Sequence, residues 1–124
     1  MGKLVGKPAG FSLIELLMVV AIVALLAAIA IPQFIVYRKT GLEAQIKEDL
    51  RNAAAAQESY FADRQAYVNG PLSSGTPPGY NRSAPITITA AVSGNIFTLT
   101  ATHASCSGVS WSFINGQVAG GPCP

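Results

Sequence analysis

The hydrophobic pattern of the chain changes period twice. From Phe11 to Ile31 the only polar residues are Ser12 and Glu15, and residues 16–31 are apolar without a break. A helix over this stretch would rise about 32 Å, enough for a hydrocarbon core of roughly 30 Å. Pro32 has no N–H for the helical ladder, so a kink is expected there without a necessary end. Beyond it, Leu42, Ile46, Leu50, Ala53, Ala54, Tyr60 and Phe61 recur at helical spacing and predict one buried face. Glu43 and Lys47 form an i,i+4 pair on another face. Gly41 is the weak position, costing about 1 kcal/mol relative to Ala. The pattern predicts a helix from Phe11 to about Ala62.

Residues 64–85 carry loop chemistry: Gly70-Pro71, Thr76-Pro77-Pro78-Gly79 and Ala84-Pro85. The period then becomes two. Ile86, Ile88, Ala90 and Val92 alternate with Thr87, Thr89 and Ala91; Ser93-Gly94-Asn95 reads as a turn; Phe97, Leu99 and Ala101 share the next face. Val109, Trp111 and Phe113 alternate with serines, and Asn115-Gly116 is the type I′ hairpin signal. About four antiparallel strands over 86–119 are expected, with Trp111 and Phe113 in the core. The fold class is α+β: a long N-terminal helix, its C-terminal half packed on a small antiparallel sheet.

Charge separates these regions. Only 11% of the 124 residues are charged, against roughly 25% in a soluble domain. Residues 1–10 hold Lys3 and Lys7 with no acid, and residues 11–37 hold Glu15 alone. Most of the charge lies in 38–64, and residues 65–124 carry a single charge, Arg82. A head with no acid in its last sixty residues lacks paired carboxylates and most oxygen ligands for a hard cation. A net charge of +2 gives no nucleic-acid footprint, so no tight nucleic-acid binding is expected. Two Cys and one His are too few for a closed zinc site. No cofactor, metal site or nucleophile–base–orienter set is visible, so the chain reads as no enzyme. His103 reads as a polar strand-end residue, and Asn81-Arg82-Ser83 matches a glycosylation acceptor pattern.

Two readings of the N-terminus compete. Lys3 and Lys7, the apolar run and Ala28-Ile29-Ala30 could be a secretory signal cleaved after Ala30, releasing a small secreted binding domain. The run is longer than such a signal needs, however, and contains Glu15. A carboxylate within a membrane costs on the order of 2.5–3.5 kcal/mol on insertion scales and is functional by default. Snorkelling to the interface is the plainer account. A functional role needs a cation at the same depth, which an α-amino group created just before Phe11 would supply.

Gly10-Phe11-Ser12-Leu13-Ile14-Glu15 after a short basic leader resembles the prepilin signal of type IV pilins. The likeness continues through Leu16–Ile22 and Ala30-Ile31-Pro32-Gln33-Phe34, and covers roughly residues 7–40 closely. Many members have Gly where Ala24 stands. The resemblance implies cleavage between Gly10 and Phe11 by a prepilin peptidase, N-methylation of Phe11, and pairing of Glu15 with the Phe11 amine of a neighbouring subunit during assembly. It implies a leader (1–10), a transmembrane and filament-core helix half (11–37) and a globular head (38–124). The implied partners are further copies in a helical filament, the peptidase, an inner-membrane assembly platform, and membrane lipid before assembly. Lys3 and Lys7 place the N-terminus in the cytoplasm, so the subunit would be single-pass in the inner membrane and then extracellular in the filament. The major pseudopilins of type II secretion systems resemble this N-terminus too, but typically carry a C-terminal calcium site and no disulfide.

Physical length also points to a filament. A helix over 11–62 would be about 78 Å long, whereas a globule of this size has a radius of gyration of about 14 Å. Its apolar half would need lipid or copies of itself, and a non-closing stack is a fibre. Cys106 and Cys123 bracket the last hairpin, and export supplies an oxidising compartment. A Cys106–Cys123 disulfide is therefore expected, contributing about 3 kcal/mol; type IV pilins usually bracket a C-terminal loop in this way. Removing the leader leaves six basic and six acidic side chains in residues 11–124, so copies can pack without large self-repulsion.

Overall fold

The structure, a computed structural model, describes residues 2, 6 and 9–124; the leader residues Lys3 and Lys7 lie outside the described residues. The chain divides into two compact units, Met1–Tyr37 and Arg38–Pro124. One helix, α1 (Leu13–Arg64), begins in the first and ends in the second. It continues without interruption through Ala24 and Pro32. A proline ring removes one ladder bond, and in this helix the bonds on either side carry the chain past it.

In the first unit the apolar side chains of α1 stand open: Leu16, Val20, Leu25, Ile29 and Phe34 are each more than half exposed. The helix is long and apolar enough here to cross a membrane.

In the second unit, α1 carries the buried stripe that its spacing predicts. Ile46, Leu50, Ala53 and Ala54 are buried, while Leu42, Tyr60 and Phe61 lie half-buried at its margins. Five strands follow as an antiparallel meander in the order β1-β2-β3-β4-β5: β1 (Gly70–Leu72), β2 (Ile86–Ser93), β3 (Ile96–His103), β4 (Ser110–Ile114) and β5 (Gln117–Gly120). Four of them match the alternation of the sequence. The fifth, β1, falls inside the stretch expected to be loop throughout. It pairs Gly70 with Ala90 and Leu72 with Ile88. Three residues with a central proline give no alternation to read, and proline is tolerated because β1 is an edge strand.

Period-two alternation puts Ile86, Ile88 and Ala90 of β2 on the same side as Leu99 and Ala101 of β3 and Trp111 of β4. These residues form one core cluster with Ile46, Leu50 and Ala53. The turns follow their residues. Asn115 and Gly116 both have positive φ (50° and 82°), as a type I′ hairpin requires, and pair Ile114 with Gln117. At Gly120 a Cβ would collide with the backbone of Ser110 and Trp111, so only glycine lets β5 approach β4 there.

The segments outside the sheet are tied to α1 by polar side chains that the apolar pattern does not reveal. Asp49, buried, accepts hydrogen bonds from the Ser83 N–H (3.0 Å) and the Ser83 hydroxyl (2.8 Å). The Ser83 hydroxyl of the glycosylation-like triplet is thus engaged internally. Gln57, fully buried, donates to the Val68 carbonyl (2.7 Å) and accepts from the Val68 N–H (2.9 Å). Glu43 accepts from the Cys123 N–H at 2.8 Å, while its other oxygen faces Lys47 at 3.9 Å. Cys106 and Cys123 are bonded as expected. His103 ends β3 but is buried rather than surface-lying, its Nδ1 accepting the Ser105 N–H at 3.0 Å. Tyr80 is buried near Asp49; desolvation first, and the carboxylate charge second, push its phenol up to about 12.

Gln57→Leu leaves both backbone groups of Val68 without their partner at similar side-chain volume. The expected loss is about 2 kcal/mol of head stability, read as a lower midpoint in chemical denaturation; an unchanged midpoint would refute the tie.

Candidate functional site

The residues singled out at the N-terminus come together over one turn. Gly10, Phe11 and Ser12 precede α1 in irregular conformation, and all three are exposed. Phe11 is 93% exposed, and a Cβ on Gly10 would meet nothing within 4 Å. The peptide joining Gly10 to Phe11 is therefore open backbone immediately before a helix start.

Helix formation at that point is explained by Ser12 and Glu15. The Ser12 hydroxyl accepts the Glu15 N–H at 3.3 Å, and the Glu15 carboxylate accepts the Ser12 N–H at 2.8 Å. This reciprocal arrangement is a capping box, with Ser12 at the N-cap and Glu15 at N3. The first ladder bond follows directly, from the Leu16 N–H to the Ser12 carbonyl at 3.2 Å. The carboxylate sits where the helix dipole favours negative charge. The box also lowers the cost of an acid beside an apolar run, because the charge is hydrogen-bonded within its own chain. A carboxylate offers about four acceptor positions, so one bond to Ser12 leaves it able to accept a cation.

Ser12 was legible in the sequence as the first member of an S-x-x-E pattern before an apolar run, but attention to Glu15 as a charge alone passes over it. The remaining singled-out residues lie elsewhere: Pro32 is inside α1, and Cys106 and Cys123 close the C-terminal loop of the head.

The prokaryotic N-terminal methylation motif matches residues 6–31, the span that holds this box. The type IV major pilin protein PilA of Myxococcus xanthus is 45% identical over 58 residues, which are 47% of this chain and 26% of that protein. The type IV wide pilus major component PilA4 of Thermus thermophilus is 42% identical over 60 residues, 48% of this chain and 46% of that protein. Over just under half of its length, then, the chain is similar to type IV major pilins. The chain thus spans about a quarter and about half of the length of these two pilins. No solved structure matches it. The long helix, packed by its later part on an antiparallel sheet, is the α+β arrangement that the sequence predicts.

Ser12→Ala removes one half of the capping box. The helix start should lose about 1 kcal/mol, seen as faster amide exchange at 13–16 in the full chain in micelles, with exchange in the head unchanged.

Proposed function

We propose that this chain is a pilus structural subunit, made as a precursor and polymerised into a helical surface filament used for motility, adhesion or DNA uptake. The observation that carries this reading is the order of features over a few residues. An exposed Gly10–Phe11 bond is followed at once by a capped helix that bears one carboxylate and then an unbroken apolar run. A protease needs an open peptide, and the exposed backbone of Gly10 and Phe11 offers one. Cleavage there would release residues 1–10 and leave an α-amino group on Phe11, to be methylated.

Glu15 would then meet the Phe11 amine of a neighbouring subunit. Both groups would be taken into an apolar environment, where an unpaired carboxylate is costly. Incoming subunits are thereby selected for a depth at which the pair closes. The partners are further copies of the chain, a prepilin peptidase, an inner-membrane assembly platform and, before assembly, lipid. With Lys3 and Lys7 on the cytoplasmic side the helix would cross the inner membrane once, N-terminus inside. The Cys106–Cys123 bridge supports a pilin over a type II secretion pseudopilin.

Mass spectrometry and N-terminal sequencing of sheared filaments test the proposal: a subunit beginning at methylated Phe11 is expected, and one beginning at Ile31 overturns it. Glu15→Val should leave membrane insertion intact and abolish most filaments, by electron microscopy; a normal filament yield would remove the pairing role. Gly10→Val places a branched side chain at the cleaved bond and should hold the chain at precursor mass.

A further inference from the structure

A small cleft in the head lies away from the N-terminal site and plays no part in the processing or pairing proposed above. Its volume is about 170 Å³, and its lining includes Glu58, Tyr67, Asn95, Phe97, Phe113 and Asn115. Three elements converge on it. Glu58 comes from α1, Asn95 from the β2–β3 turn and Asn115 from the β4–β5 turn. The two turns are brought to the same end of the sheet by the meander, because strands β2–β5 alternate in direction.

The rings form a connected set. Tyr67 meets Phe97 at 4.7 Å between centroids with the planes tilted by 56°, and Phe97 and Phe113 are nearly parallel at 6.1 Å. Behind Tyr67, Phe61 stacks at 4.5 Å and fixes its plane. The Tyr67 hydroxyl lies 3.3 Å from both oxygens of Glu58 and donates to that carboxylate. Desolvation and the Glu58 charge both raise the Tyr67 phenol, so it remains a donor at neutral pH. The carboxylate is thereby held at the edge of the aromatic wall. No basic side chain lines the cleft among the described residues.

We infer that this cleft binds an organic ammonium group, the aromatic rings facing the cation and Glu58 neutralising it. Ring faces attract a cation through their quadrupole, and alkylated ammonium ions suit them best because their hydration is weak. A metal ion is a poor fit, since a hard cation takes six to eight oxygens and Glu58 is the one carboxylate here. The volume is below the roughly 300 Å³ at which drug-sized ligands begin, which matches a compact head group rather than an extended molecule. The side-chain amides of Asn95 and Asn115 at the rim can accept from the ligand's remaining polar atoms.

The test is a titration of the full chain, isotope-labelled in a micelle of polyoxyethylene detergent free of sugar and choline groups. Choline chloride is the probe, with sodium chloride and methyl glucoside as parallel titrants. A saturable shift of the Asn95, Asn115 and Gly116 amides with choline alone is expected, at millimolar affinity. Glu58→Gln should weaken it about tenfold. Tyr67→Phe keeps the ring, loses the donor to Glu58, and should weaken it a few-fold. Unmoved Trp111 and His103 amides confirm that both variants are folded. No saturable shift, an equal shift with sodium chloride, a preference for the glucoside, or undiminished choline binding in Glu58→Gln would each overturn the inference. None of these results depends on whether the chain forms filaments.

Discussion

Contact between one stripe of α1 and one face of the sheet holds the head together. Ile46 and Leu50 are fully buried against Ile86, Ile88, Leu99 and Trp111, and each such aliphatic side chain contributes about 1.5–3 kcal/mol on removal from water. Ala53, Ala54 and the large side chain of Trp111 belong to the same cluster. Interiors are packed to crystal-like density, so a change of volume at any member of this cluster would be felt by the others. The β meander can tolerate its short, proline-bearing edge strand because this contact, rather than edge pairing, anchors it.

Polar ties then settle what the apolar contact leaves free. Glu43, Asp49 and Gln57 sit at successive levels of α1 and hold the C-terminal tail, the loop at Ser83 and the chain at Val68. Each accepts a backbone N–H that lies outside the ladders, which is the ordinary requirement for irregular backbone near a core. The disulfide adds a covalent restraint on the same tail that Glu43 grips. At the other end of the chain the same chemistry is used once more, by Ser12 and Glu15, to start a helix beside an apolar run.

Much of this was legible beforehand. The buried stripe at 46, 50, 53 and 54, the alternation of β2 and β3, the Asn115-Gly116 hairpin and the cysteine pair all follow from local rules of period and turn type. The edge strand β1 was not, because Gly70-Pro71-Leu72 has no period and pairs through β2, nearly twenty residues away in sequence. The ties at Asp49 and Gln57 were hidden for a related reason. A polar residue on a helix looks solvated unless its partner is known, and these partners are 34 and 11 residues distant.

The sequence by itself determined the division of the chain: a leader-like basic start, an apolar helix with one acid, a charged amphipathic stretch and a nearly uncharged β head. Those properties depend on composition and short-range period, which need no knowledge of distant contacts. Only the tertiary structure decided how the carboxylates are used. Glu15 is half of a cap, Asp49 is a buried anchor, and Glu58 stands at the rim of an aromatic cleft. A carboxylate carries the same charge at each position, and its role comes from the donors and rings that the fold brings within a few ångströms.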